Sequence, residues 1–218
     1  MGSENSEKYF NTRLTYDKKR EILWKVLAKE FSKDLIKVTD TVVELGAGWC
    51  DFINALDAHL KYAVDVWPEV AEMSNGSVIP VISSVETMHF LGDHTVDVFF
   101  ASNLFEHLSQ DQLASTLFEI KRALKHKGKL IVIQPNYSLA YKKYFDDYTH
   151  ISIWSDKSLC DFLQVNGFEV SQVRKRFLPL SLKSRFPVSS FLIQLYLKLP
   201  FKLFAGQMLV VAHPSKPK

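Results

Sequence analysis

A doubly wound α/β fold with a mostly parallel sheet is what this 218-residue chain predicts, and three observations carry that reading. Short apolar runs alternate with stretches of helical periodicity, as strand–helix–strand units require. The first run, Val42-Val43-Glu44-Leu45, breaks into a glycine-punctuated turn, Gly46-Ala47-Gly48-Trp49-Cys50. Nineteen residues after Gly46 a second run, Tyr62-Ala63-Val64-Asp65, ends in a carboxylate. The runs are continuous rather than alternating, the pattern of strands covered on both faces.

Taken in order, a helix is expected from Asp17 to Phe31, with Ile22, Leu23, Val26, Leu27 and Phe31 on one apolar stripe. Strands follow at 41–45, 61–66, 78–82 and 96–101. Ser109 and Gln112 have capping-box spacing, and Leu113, Leu117, Ile120 and Leu124 share a helical face that Gly128 should stop. A strand at 129–134 ends against Pro135; a helix at 156–165 ends at Asn166-Gly167; strands at 168–177 and 207–212 close the chain. One domain is expected over 1–218, with a helical cap at 1–38, a ligand-binding core at 39–177, an apolar and basic insertion at 178–205, and a last strand and tail at 206–218.

Composition bounds the function. The chain is 47% hydrophobic without an apolar run of the ~20 residues that span a bilayer, so a soluble globular protein is expected. Cys50 and Cys160 make neither a disulfide framework nor a metal-ligand spacing, which suits a reducing cytoplasm. Net charge is +3, but from Phe168 onward nine basic residues face one acid, Glu169. That asymmetry suggests an anionic surface as partner. Nucleic acid fits poorly, because the basic residues are interleaved with aliphatics rather than with a stacking platform.

The glycine turn is a nucleotide-binding corner. Glycine permits positive φ and removes the Cβ that would hold the backbone off a ligand. Asp65, ending the neighbouring strand, can take both hydroxyls of a ribose. A nicotinamide fingerprint would need a third glycine where Asp51 stands, and a negative charge there opposes a pyrophosphate. The string instead resembles the first motif of class I S-adenosylmethionine-dependent methyltransferases (the type 11/23-like domains), E/D-x-G-x-G-x-G. Glu44, Gly46 and Gly48 are in place, with Cys50 where the last glycine falls.

The resemblance extends over about residues 40–177. Val96-Asp97-Val98-Phe99-Phe100-Ala101-Ser102-Asn103-Leu104-Phe105-Glu106-His107-Leu108 is similar to the family's fourth-strand motif. The stretch from Ile120 to Leu130 is similar to its R-x-L-K-P-G-G segment. The resemblance implies a seven-stranded Rossmann-like sheet in the order 3-2-1-4-5-7-6, with strand 7 antiparallel. It implies S-adenosyl-L-methionine as cofactor, with Glu44, Gly46, Ala47 and Gly48 on the methionine and ribose side and Asp65 and Val66 at the ribose. Ser84 and Val85 stand where the family often has an aspartate for the adenine amine, and Asn103 would sit near the sulfonium.

A sulfonium methyl is already activated, so transfer needs an oriented nucleophile and, for a hydroxyl, removal of its proton. The segment after the fifth strand offers His150, with Asp146 and Asp147, as candidate catalytic groups; histidine has the most suitable unperturbed pKa. Some members of the superfamily bind a divalent ion through E-x-x-E-H. Here Asn103 replaces the first carboxylate, Glu106 and His107 would simply cap the next helix, and no metal is assigned. The apolar, basic stretch 178–205 has the ordinary reading of a core-packed helix. Its sharper reading is a lid or interfacial helix that touches a membrane peripherally and receives a lipid-linked glycan acceptor. The expectation is a cytoplasmic methyltransferase of small-molecule or lipid-linked acceptors, acting at oxygen. A non-catalytic S-adenosylmethionine-binding module and, more weakly, a nicotinamide oxidoreductase are the alternatives. Neither acceptor identity nor oligomeric state is legible.

Overall fold

The computed structural model describes residues 16–180 and 189–215. Seven strands form one sheet in the order β3-β2-β1-β4-β5-β7-β6, as the resemblance implied. They are β1 (Thr41–Leu45), β2 (Leu60–Asp65), β3 (Ile79–Ile82), β4 (Val96–Ser102), β5 (Leu124–Pro135), β6 (Phe168–Pro179) and β7 (Ala205–Pro214). By its internal contacts the chain divides into two compact units, 1–84 with 181–200 and 85–180 with 201–218.

In the first unit β1 pairs with β2 and β2 with β3, all parallel. Helix α1 (Lys18–Asp34) starts where Asp17 accepts from Lys19 N–H, a side-chain cap for a donor the helix cannot satisfy. Its buried face is Leu23, Trp24, Val26, Leu27, Ala28 and Phe31. Trp24 and Phe31 meet Phe52 edge-on, with ring centroids 5.9 and 6.0 Å apart. Phe52 lies on α2 (Asp51–Ala55), and its complete burial contributes about 1.5–3 kcal/mol. The short α3 (Val70–Met73) and α7 (Ser190–Lys198) complete this unit. β3 departs from the expected double-sided burial: Ile79 and Ile82 are exposed because it is an edge strand. Pro80, which cannot donate to a ladder, is tolerated there.

In the second unit β4 pairs parallel with β5, and β7 runs antiparallel to both β5 and β6. Phe99, Phe100, Ile131, Ile133 and Val210 are fully buried in these strands, as are Leu113 and Leu117 of α4 (Gln110–Ala123). The capping box at Ser109 and Gln112 is formed as its spacing predicted. α5 (Tyr137–Ala140) and α6 (Asp156–Val165) follow β5, the latter with the predicted bounds. β7 is longer than expected and buried from Ala205 to Ala212.

Gly128 does not stop α4. The helix ends at Ala123, and Gly128 lies within β5, in a bulge where the register with β4 shifts between Val96 and Val98. A Cβ there would meet Leu124 Cδ2 at 2.7 Å, the Lys125 carbonyl oxygen at 2.9 Å and the Asp97 carbonyl oxygen at 3.1 Å. The glycine is needed for this backbone approach rather than for a cap. Gly128→Ala is expected to cost about 1–3 kcal/mol of unfolding free energy, read by urea denaturation; a variant as stable as the parent would show that the bulge relaxes freely.

Candidate active site

β1 ends where its backbone can no longer stay extended. Gly46 has φ 64° and Gly48 φ 50°, so the chain turns left-handed twice within three residues. Gly46 and Ala47 donate their N–H groups back to the Val64 carbonyl, at 2.9 and 3.1 Å, tying the turn to β2. Asp65, at the end of β2, accepts from Gly48 N–H at 2.8 Å with one oxygen and from Trp67 N–H at 2.9 Å with the other. Burial raises its pKa, against the pull of these backbone donors. Each carboxylate oxygen still has a lone pair to offer.

Glu44 accepts from Ile53 N–H at 3.0 Å, holding the first turn of α2. Burial raises the Glu44 pKa well above the usual carboxylate range. Cys50 takes the left-handed conformation with φ 56°, although it is not glycine. Its thiol is buried beside Ser74 Oγ at 3.5 Å, and burial pushes its pKa up to about 12. Asp51 is 3.8 Å from Arg20 Nε. Arg20 thus faces a carboxylate rather than a space for phosphate. Val66 is exposed and Ser84 half-buried.

This donor set fits a nucleoside that carries an amino acid better than a dinucleotide. The turn has no Cβ at either glycine, a carboxylate stands at the β2 end for a diol, and Arg20 and Lys25 are already engaged by Asp51 and Glu21.

The other predicted residues lie in the second unit. Val85 is buried. Asn103, just past β4, adopts φ 50°, which asparagine tolerates better than most residues. Its amide oxygen accepts from Gln207 Nε2 at 3.2 Å, and its amide nitrogen donates to Ser102 Oγ at 3.0 Å. Asp146 is exposed on the 3-10 turn Tyr144–Asp146, apart from the cluster that holds Asp147 and His150.

That cluster joins two segments distant in sequence. The 3-10 turn Phe105–His107 follows β4, and Glu106 and His107 do not cap α4. The Glu106 carbonyl accepts from Ile151 N–H at 2.9 Å and Ser152 N–H at 3.1 Å. Trp154 Nε1 donates to the Phe105 carbonyl at 3.2 Å and Ser152 Oγ to the Leu108 carbonyl. His150 packs against Tyr144 and His107, with centroids 4.7 and 4.9 Å away. His107 Nδ1 lies 3.2 Å from the Thr149 carbonyl and 3.0 Å from its hydroxyl, which donates to Asp147 Oδ1 at 2.6 Å.

The electrostatics are those of buried charge. Burial pushes the Glu106 carboxyl up to about 8, with Asp147 adding to the effect. Burial and the neighbouring His150 push His107 down to about 4. Asp147, which burial would raise, is held low by the Thr149 hydroxyl and N–H and by the two imidazoles. Imidazoles beside a carboxyl can exchange protons or bind a cation. Sequence reasoning named Glu106, His107, Asp147 and His150 in separate segments without joining them. The available signal was that both segments leave the carboxyl ends of strands.

A family model for a methyltransferase domain matches residues 43–132. No curated protein matches the chain. Among solved structures, a chain of the Haloferax volcanii complex that contains the methyltransferase activator Trm112 superposes with a TM-score of 0.70 at 17% identity, covering 91% of this chain and 92% of that one. An S-adenosylmethionine-dependent methyltransferase from Archaeoglobus fulgidus gives 0.64 at 19%, covering 87% and 94%. The mitomycin 7-O-methyltransferase MmcR gives 0.65 at 17%, covering 97% and 58%. At these identities the likeness is one of fold.

Proposed function

We propose that this chain, a member of the class I S-adenosylmethionine-dependent methyltransferase superfamily, moves its methyl group to a hydroxyl of a small-molecule or lipid-linked glycan acceptor. The observation that carries the cofactor assignment is the turn itself: two left-handed glycines, and Asp65 fixed against Gly48 by a 2.8 Å hydrogen bond. Gly46, Ala47 and Gly48 pass the methionine portion, with Glu44 acting through α2. Asp65 and Val66 serve the ribose, Ser84 and Val85 the adenine, and Asn103 the sulfonium side. S-adenosylmethionine supplies an electrophilic methyl on a positively charged sulfur. The protein's own task is to orient an oxygen and ionise it.

Ionisation falls to the cluster around His150, with Asp147 steadying Thr149 and His107. Asp146, exposed, serves only at the periphery of the acceptor. The acceptor class is argued from α7, where the expectation of a core-packed helix fails: Phe191 is 71% exposed, Leu192 46% and Leu195 47%, and only Ile193 is buried. An apolar face left open on a helix with Lys198 in its last turn suits an amphipathic acceptor or a membrane surface. Residues 181–188, the basic start of that insertion, lie outside the described residues. Among the described residues no helix is long and apolar enough to cross a membrane, so such contact would be peripheral, on the cytoplasmic side.

The test of the cofactor site is calorimetry with S-adenosylhomocysteine. Asp65→Ala is expected to weaken binding by about 1.5–3 kcal/mol, the scale of hydrogen bonds to a charged group. Asp65→Asn, which keeps one acceptor for the turn, should lose less. Unchanged affinity in a folded Asp65→Ala variant would remove Asp65 from the site. Methyl transfer to lipid-linked glycans, compared with soluble hydroxyl acceptors, tests the acceptor class.

A further inference from the structure

We propose that the turn Phe201–Phe204 and the basic strand segment Arg174–Arg176 of β6 form a docking surface for a bilayer of anionic phospholipids, the aromatic rings entering the acyl boundary and the cations meeting lipid phosphates. All of these residues belong to the second unit and none to α7, so the surface goes beyond the helix face that carries the acceptor argument. Phe201 is 82% exposed, Leu203 67% and Phe204 89%. Three large apolar side chains within one four-residue turn make an exposed patch, not the single scatter that any surface shows.

Backbone geometry gives the second observation. Phe204 has φ 58°, in the left-handed region that suits glycine or asparagine and that a bulky residue enters only under strain. Ala205 N–H closes the turn on the Lys202 carbonyl at 3.4 Å, and β7 begins at Ala205. At Cys50 the same strain is offset by burying the side chain, whereas the Phe204 ring stands almost wholly in water. Strain that projects an aromatic ring outward points to something outside the chain that receives it.

The charges select what receives it. β6 ends the sheet, and its register with β7 shifts between Arg174 and Leu178, leaving Arg174, Lys175 and Arg176 exposed. Lys175 lies 3.4 Å from Asp156, but among the described residues neither Arg174 nor Arg176 forms an ion pair. Arg174 lies over the Phe177 ring at 6.0 Å. It is also near the turn: burial, and then the Arg174 charge, lower the Lys202 pKa. Cations gathered beside exposed apolar groups are the pattern of an anionic interface.

A bilayer fits this surface better than another protein copy does. A second chain docking through the same patch would set Arg174, Arg176 and Lys202 against their own counterparts, like charge on like charge. In a lipid surface the phosphates lie just above the acyl boundary, so rings that enter it bring the arginine and lysine heads level with them. From Phe168 onward nine bases face one acid, so the field around the surface has the sign that anionic lipids require. Docking stands on these residues alone. Its purpose rests on the lipid-linked acceptor reading, for which it holds the protein where that acceptor lies.

The experiment sediments the full chain with vesicles of phosphatidylcholine, with and without phosphatidylglycerol. Expected is binding to the anionic vesicles only, weakened by salt and not displaced by millimolar inorganic phosphate, which separates a lipid surface from a site for the free ion. Phe204→Asn is the sharpest variant, because asparagine tolerates the left-handed turn. It should unfold at no lower urea concentration than the parent and yet bind anionic vesicles about 10-fold more weakly. Phe201→Ser should weaken binding to a similar degree, and Arg174→Gln with Arg176→Gln by about 10-fold or more together. No binding to anionic vesicles, equal binding to neutral ones, or variants that bind as the parent does would overturn the surface. So would loss only on Leu192→Ser and Leu195→Ser of α7, or duplex DNA that competes the chain off the vesicles at equal phosphate. Methyl transfer to lipid-linked glycans in detergent separates the readings: transfer without vesicle binding rejects the surface alone, and vesicle binding without transfer rejects the acceptor reading alone.

Discussion

Gly48→Val is expected to abolish measurable S-adenosylhomocysteine binding while leaving most of the fold. Gly48 sits at φ 50°, and its N–H is the donor that anchors Asp65. A β-branched residue resists positive φ, so the variant must either hold a strained conformation or let the turn open. If the turn opens, Asp65 loses its anchor; if it holds, the isopropyl group occupies the space against which the ligand would lie. Either route removes binding, and a loss of at least about 3 kcal/mol is expected. Calorimetry on a variant shown folded by circular dichroism decides it. A variant that binds as the parent does would move the cofactor to another part of the molecule.

His150→Ala is expected to lower turnover by about 100-fold, with little change in cofactor affinity. The ring packs against Tyr144 and His107, neither of which is assigned to the cofactor. Its removal should therefore be felt in the rate and not in S-adenosylhomocysteine binding. Glu106→Gln tells why the rate falls. If His150 acts alone as the base, a neutral amide beside it changes turnover little; if the buried Glu106 carboxyl shares the proton, the amide lowers turnover too. A His150→Ala variant with near-parental turnover on an identified hydroxyl acceptor would make the ring structural.

Strand positions were legible wherever burial on both faces imposed one requirement on every residue. β1 has the expected bounds because Thr41 to Leu45 is a short apolar run between a polar loop and a glycine. β3 misled because its apolar residues look the same whether they are covered or stand at an edge, and edge position is a property of strand order. Gly128 misled for a related reason. A glycine just beyond a helical stripe signals a cap, yet here the space of a Cβ is taken by Leu124 Cδ2 and the Lys125 carbonyl of the same strand and by the Asp97 carbonyl of β4. The glycine turn and its tie to Asp65 were readable because their parts are local and spaced by the geometry of one strand–helix–strand unit. The Glu106–His150 cluster was not, since nothing local says that the turn after β4 and the loop after β5 share hydrogen bonds. The missed signal was chemical: a carboxyl, two imidazoles and a second carboxyl in the connections leaving adjacent strands.

Cys50 gives the turn a memory that glycine would lack. The left-handed conformation costs a non-glycine residue about 1–2 kcal/mol, here offset by burying the side chain against Ser74 and the Val70 carbonyl. The unfolded chain, in turn, has less freedom to lose than one with a glycine at this position. The corner is thereby set in shape before any ligand arrives, and less binding free energy goes into ordering it. The same burial keeps the thiol protonated, out of reach of oxidants and electrophiles while the turn is closed. Should the turn open, the sulfur becomes an ordinary reactive thiol, so modification of Cys50, unlike that of the half-buried Cys160, would mark molecules whose glycine turn has already come apart.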